Sequence, residues 1–420
     1  MYTKDKIRKA KLTISIFICG FCVNSVIFPL TSHIYHRRGW LLTLKNLLPA
    51  DFSDFYSNYR KWTLPNPDEI TTVYRSATSS IDFLPFWNLY HSFFTFIDSE
   101  IAARNVYLFT LYLFIAISLF LASHGLPKSL RLKISLVFLL FSYPVWFDAN
   151  QANVEFVSLL LLCLSLRYFS THQKMSSVLL AFSAAVKPFS ALLFLTHFKA
   201  RNYRNILIGI RMYFFMVICI PIYIRISHGL PVAGALNFHD YLYSSYGQGY
   251  IVDGAGLANG SSLYGGIKSL FLLWGWEQYM NLFLLFYFVA TSLFACLLLL
   301  YLIRFPINLN LEIVILLILG VLLPFVSGNY KLLYVLVAII YFIKADWSDV
   351  YSDAILVLLS LSCLPMDIIE RNWHSQKPLL IGIGYSVMAG SIVRPILLTT
   401  ALLLLLISIF RSNNLISVEN

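Results

Sequence analysis

The chain has 420 residues, 59% of them apolar and only 12% charged, with a mean hydropathy of +0.73. Soluble domains carry about 25% charged residues and 45–50% apolar ones, so this composition excludes a soluble globular protein and indicates roughly ten apolar membrane spans. The net charge of +11 is spread in short basic clusters between apolar runs; such clusters act as topology signals and do not form the continuous stripe that would bind nucleic acid.

In chain order, the basic start MYTKDKIRKAK runs straight into an apolar stretch with no small-residue cleavage site after it. It reads as an uncleaved first span with a cytoplasmic N-terminus. The expected spans are 12–30, 105–122, 132–147, 154–168, 205–226, 280–303, 311–327, 331–343, 353–369 and 395–410. Two more apolar stretches, 175–197 and 379–393, are ambiguous. Lys128, Arg131 and Lys133 hold one loop inside, and basic residues flank 175–197 on both sides (Arg167 and Lys174, then Lys199, Arg201 and Arg204). A full crossing would leave one of those basic loops outside. A re-entrant hairpin or a pair of short helices, broken near Lys187-Pro188, satisfies both, because proline removes a backbone donor and kinks a helix.

The regions that follow are a tail and first span (1–30), a large outer loop (31–103), a membrane core (104–226), a second outer loop (227–279) and C-terminal spans (280–420). The first outer loop is rich in acidic and aromatic residues. A short outer loop holds FDANQANVE (147–155), and the second long one is rich in Gly, Tyr, Asn and Ser, a surface suited either to carbohydrate or to simple connection. All six cysteines (Cys19, Cys22, Cys163, Cys219, Cys296 and Cys363) fall in apolar segments and read as small hydrophobes, with no disulfide framework or zinc site.

Ionisable groups at or in a membrane are costly and default to functional candidates. Asp51 and Asp54, in DFSDFY, would share a helix face. Either could be a general base toward a hydroxyl, or a simple helix cap. Asn150 to Glu155 open an apolar span; the amides could bind sugar hydroxyls, while Glu155 could serve only the helix's positive end. Lys187 could neutralise a lipid phosphate or snorkel to an interface. Lys331, in SGNYK, is a cation in an outward turn or an interfacial anchor. His91 and the pair His239-Asp240 complete the set; such histidines are more often structural, though they titrate near neutrality. No Walker loop, post-strand GxGxxG, HExxH or GxSxG motif is present.

The order of these pieces resembles a known family. An acidic DF loop follows the first span, then a Q-x-N turn opening an apolar helix, then "AFSAAVKPFSALLF" and a basic turn. The segments "NGSSLYGGIKSL" and "SGNYKLLYVLVAII" come later. Over residues 48–343 the pattern is similar to the GT-C glycosyltransferases that use polyprenyl-phosphate sugars, in the branch with Q-x-N and K-P motifs. Size and topology also resemble the serotype-converting O-antigen glucosyltransferases of enteric bacteria. The resemblance implies an all-α polytopic membrane protein, a GT-C-like bundle of about 9–12 transmembrane helices with extracytoplasmic loops. It implies an inner-membrane hexosyltransferase that moves a sugar from polyprenyl phosphate to an O-antigen, lipopolysaccharide or similar lipid-linked envelope glycan on the outer face. Asp51 or Asp54 then matches the family's base, with Asp54 slightly favoured by its spacing to Tyr56. Gln151 and Asn153 match the Q-x-N element, and Lys187 the K-P lysine. Asn150 departs from the pattern, standing where glycine is usual.

Such chemistry needs cations or donors around the leaving phosphate, for which Lys187, Lys331, Arg60 and Arg75 are candidates, and His239 could contact substrate. A phosphate leaving group needs no proton, so one carboxylate suffices and single displacement with inversion is expected. Two aspartates alone do not make a metal site; the sequence requires no cofactor and leaves a divalent cation open. The alternatives are an envelope polysaccharide polymerase and a lipid-linked glycan flippase or transporter. A transporter would show a matching broken helix in its second half; none stands at a corresponding place, Arg394-Pro395 being the nearest candidate.

Overall fold

The computed structural model describes residues 4–35, 93–97, 99–151, 153–227, 232, 260–325, 327–366, 370–374 and 384–418. These are almost entirely helical: α1 (Lys4–Tyr35), α2 (Glu100–Ala122), α3 (Lys128–Phe141), α4 (Tyr143–Gln151), α5 (Glu155–Tyr168), α6 (Gln173–Val186), α7 (Phe194–Lys199) and α8 (Tyr203–Ser227). They continue with α9 (Leu263–Leu273), α10 (Met280–Arg304), α11 (Leu309–Leu322), α12 (Leu333–Lys344), α13 (Ser352–Ser362) and α14 (Ala389–Val418). Between α13 and α14, β1 (Glu370–His374) pairs antiparallel with β2 (Gly384–Met388), Trp373 opposite Tyr385.

Each expected span overlaps a helix, although the helices under 311–327 and 353–369 end at Leu322 and Ser362. Among the described residues, four helices, α2, α8, α10 and α14, contain stretches long and apolar enough to cross a bilayer, or five spans if α3 and α4 count as one bent by 50°. Three further apolar helices, α9, α11 and α13, are shorter: fourteen residues in α11 extend about 21 Å, less than the ~30 Å hydrocarbon core. The protein is thus a helical, multi-pass membrane-type protein. Two expectations are corrected in detail, and the open stretch 379–393 is partly described. Residues 147–151 of the FDANQANVE stretch belong to helix α4 and are not a loop. The second long loop, expected through 279, instead gives way to α9 after residue 262. Within 379–393, residues 384–388 form strand β2 and the rest of the described part begins α14.

The described residues fall into two compact units. One lies within 1–47, 122–145 and 254–420, the other within 48–121 and 146–253. In the first, α11 and α12 form the centre: every residue from Leu333 to Ile343 is buried, as expected of a helix apolar all round. α12 packs on α11 and α13, α14 lies against α9, α11 and α13, and α1 packs on α3 and α13. A charged cluster ties the start of α1 to the α12–α13 turn. Lys9 is fully buried, 2.7 Å from Asp5, and donates to the Trp347 carbonyl. Lys6 reaches Asp346, which ends α12 in the left-handed region (φ 55°), and Arg8 reaches Asp353.

In the second unit, α6 packs on α5 and α8 through serine and alanine, which let helices approach closely. Gly209 of α8 shows how close: an added Cβ would stand 2.6 Å from the Phe194 ring and 2.7 Å from Ser177 Oγ. On the outside the pattern reverses. Phe214 and Phe215 on α8, Phe109 and Phe120 on α2, and Leu282, Phe286 and Leu293 on α10 are all exposed, and apolar surface on this scale needs lipid or protein to cover it.

Candidate functional site

Among the described residues of the second unit, buried charge is concentrated where α4 gives way to α5. α4 ends at Gln151, and Asn153 closes the turn by donating its backbone N–H to the Asp148 carbonyl (3.4 Å). The Asn153 carbonyl accepts from the Tyr107 hydroxyl of α2 at 3.1 Å, and the Tyr107 ring meets Phe156 edge-on. Asp148, Asn153 and Glu155 are all buried here, within an apolar surround of Val154, Phe156 and Val157. The Q-x-N element therefore does open an apolar helix, with Glu155 in that helix's first turn.

Lys187 arrives at the same place from the other side. α6 stops at Val186 because Pro188 cannot continue its hydrogen-bond ladder; Lys187 takes an extended conformation (φ −143°, ψ 108°), and a short 3-10 turn follows over Pro188–Leu193. The expected break near Lys187-Pro188, giving two short helical pieces, is present. Its side chain is 7% exposed, and Nζ stands 3.0 Å from Oε2 of the fully buried Glu155. Three serines fix the two segments together. Ser183 Oγ lies 2.9 Å from both Ser158 Oγ and Ser190 Oγ, and Ser190 Oγ donates to the Lys187 carbonyl at 3.0 Å. A second serine pair, Ser165 and Ser176 with His197, repeats this farther along the interface.

The first unit carries a separate polar assembly. Gly260 bridges Gly328, and Ser261 N–H donates to the Ser327 carbonyl at 2.7 Å, so the NGSSLYGG and SGNYK segments are paired. Ser262 caps α9 by accepting from Gly265 N–H (3.0 Å). Asn329 Nδ2 donates to the Tyr143 hydroxyl at 3.1 Å. The Tyr143 ring carries the fully buried Arg394 guanidinium 4.4 Å from its centroid, and Arg394 also donates to the Leu364 carbonyl. Lys331 sits half-buried in the 3-10 turn Asn329–Leu332.

Of the residues singled out from sequence, the structure brings Asn153 and Lys187 to one locality, with Gln151 at the end of α4 beside it. Lys331 is placed in the other unit. Asp51, Asp54, Arg60, Arg75, His91 and His239 lie outside the described residues. Among the described residues no cluster of His, Cys, Asp and Glu is arranged to hold a metal ion. Sequence reasoning missed Asp148, Tyr107, Tyr143 and the role of Arg394, and it left Glu155 as a helix-end charge. The available signal was ionisable residues inside apolar runs: Asp148 and Glu155 flank the Q-x-N element, and Arg394 stands in the last one. No protein-family model, curated protein or solved structure matches the chain.

Proposed function

We propose that the chain is an inner-membrane glycosyltransferase of the GT-C type. It transfers a hexosyl residue from a polyprenyl-phosphate sugar to a cell-envelope glycan of the O-antigen kind, with its N-terminus in the cytoplasm and its reaction on the extracytoplasmic face. The observation that carries this reading is the convergence of the Q-x-N turn and the K-P lysine around the buried Glu155–Lys187 pair. Two motifs distant in sequence meet at one dry, polar point in an apolar unit, where a cation has most effect on a phosphate. In this reading Lys187 stabilises the leaving phosphate, and the amides of Gln151 and Asn153 orient the donor. Asp54 or Asp51 takes the proton from the acceptor hydroxyl, and Arg60, Arg75 and His239 supply substrate contacts.

The anomeric carbon–oxygen bond to phosphate breaks with its electron pair on the phosphate oxygen. The acceptor oxygen bonds to the opposite face of the sugar, and its proton passes to the aspartate. The product is inverted. Incubating the purified protein with polyprenyl-phosphate hexoses and envelope glycan, then reading the new linkage by NMR, tests this. An inverted linkage is expected; a retained anomer or a covalent glycosyl-enzyme contradicts it.

A further inference from the structure

We propose, resting on the transferase reading, that Glu155 is a positioning residue that reduces the advantage Lys187 would otherwise give the dianionic phosphomonoester of the product over the monoanionic phosphodiester of the donor. The two charges are 3.0 Å apart and almost wholly removed from water. An isolated ammonium at that depth would carry a heavy desolvation cost; Glu155, 3.0 Å away, offsets it and holds the lysine in place before any donor arrives. The serine contacts of Ser158, Ser183 and Ser190 hold the first turns of α5 against the break after α6, so the pair is fixed by backbone on both sides. A lysine ammonium has three N–H donors, and one such group can bridge a carboxylate and a phosphate oxygen.

The charge argument gives Glu155 its specificity role. Transfer converts a phosphodiester with one negative charge into a phosphomonoester with nearly two at neutral pH. A bare buried lysine would grip that product harder than the donor, because attraction scales with charge and is strong where water is excluded. The Glu155 carboxylate repels the dianion more than the monoanion, and so offsets the gain and lets the lipid product leave. The pair is neutral as a unit, and the smaller excess for the dianion comes from its repulsive half.

The test uses the full-length protein in detergent with two probes that involve no sugar: undecaprenyl phosphate and its monomethyl ester. Their binding ratio is measured for wild type, E155Q, E155D, K187Q and the double variant E155Q/K187Q. E155Q should shift the ratio toward undecaprenyl phosphate by about tenfold or more, a change equivalent to roughly 1.4 kcal/mol. E155D should keep the wild-type ratio. The double variant leaves no buried charge uncompensated and so retains the fold; it should bind both probes at least about tenfold more weakly, again an effect of roughly 1.4 kcal/mol. An unchanged ratio in E155Q, or wild-type affinity in the double variant, overturns the proposal. If that happens while wild type still transfers sugar, the transferase reading stands and only the role of Glu155 falls. If wild type binds neither lipid, both fall together.

Discussion

Glu155 and Lys187 put two full charges where water does not reach, and each holds the other there. Breaking such a pair from one side leaves a buried charge uncompensated, at a cost of about 3–5 kcal/mol. Lys187→Ala should therefore lower the thermal stability of the solubilised protein sharply, and Glu155→Gln/Lys187→Met should recover most of it; equal loss in both would mean that the pair's charges are not what matters. Ser183 contributes on a smaller scale. Its hydroxyl links Ser158 and Ser190, and Ser183→Ala should cost about 1 kcal/mol in the same measurement. At this scale the sequence exposed Lys187, a lone cation in an apolar run, but not its partner. Glu155 opens a helix, where any carboxylate is explained by the helix dipole, and nothing local to it says that a lysine returns to meet it.

Helices α6 and α9 show how elements are read and misread. The break after Val186 was legible because Lys-Pro interrupts an apolar run with basic residues on both flanks, and proline enforces a stop wherever it falls in a helix interior. α9 was hidden by its glycines, which read as turn residues. Gly266 instead serves close approach: an added Cβ would lie 3.1 Å from both Pro395 Cγ and the Ser391 carbonyl oxygen of α14. Gly266→Val should thus destabilise the protein by about 1–3 kcal/mol through overpacking, measured as a lower unfolding temperature, whereas mere loop glycine would tolerate it. The end of α4, residues 148–151, was missed for a related reason. Asp148, Asn150 and Gln151 look like loop polarity, yet Asp148 is fully buried, and burial of a polar group depends on partners that arrive from elsewhere in the chain. The β1–β2 hairpin was equally invisible, since ERNWH acquires strand character only against its partner.

For the whole molecule, composition already dictated a membrane-type protein, and the exposed apolar faces of α2, α8 and α10 agree with it. The charge cluster at the start of α1 makes stability depend on acid. Burial pushes the Asp5 carboxyl up, but hydrogen bonds from Lys9 and Arg8 outweigh it and hold Asp5 below the ordinary aspartate value. Asp349 is held down in the same direction: burial raises it, and the Ser408 hydroxyl, the Val350 and Tyr351 backbone and the Arg411 charge together outweigh burial. A carboxylate depressed in the folded state adds stability that is present above its unfolded value and lost as pH falls through the folded one. The unfolding temperature should therefore drop below about pH 4, and Asp5→Asn with Asp349→Asn should flatten that acid limb; an unchanged limb would assign it to other groups.

Glycan analysis of the host envelope tests the central claim most directly. Cells carrying wild type, Asp51→Asn, Asp54→Asn or Lys187→Ala would be compared, with membrane levels of each protein measured alongside. The transferase reading predicts one added hexose with wild type, lost in an aspartate variant that is present at normal level. If chain length or lipid-linked intermediates shift instead, and no linkage appears or disappears in any variant, the protein is a polymerase or a flippase and the proposal is wrong.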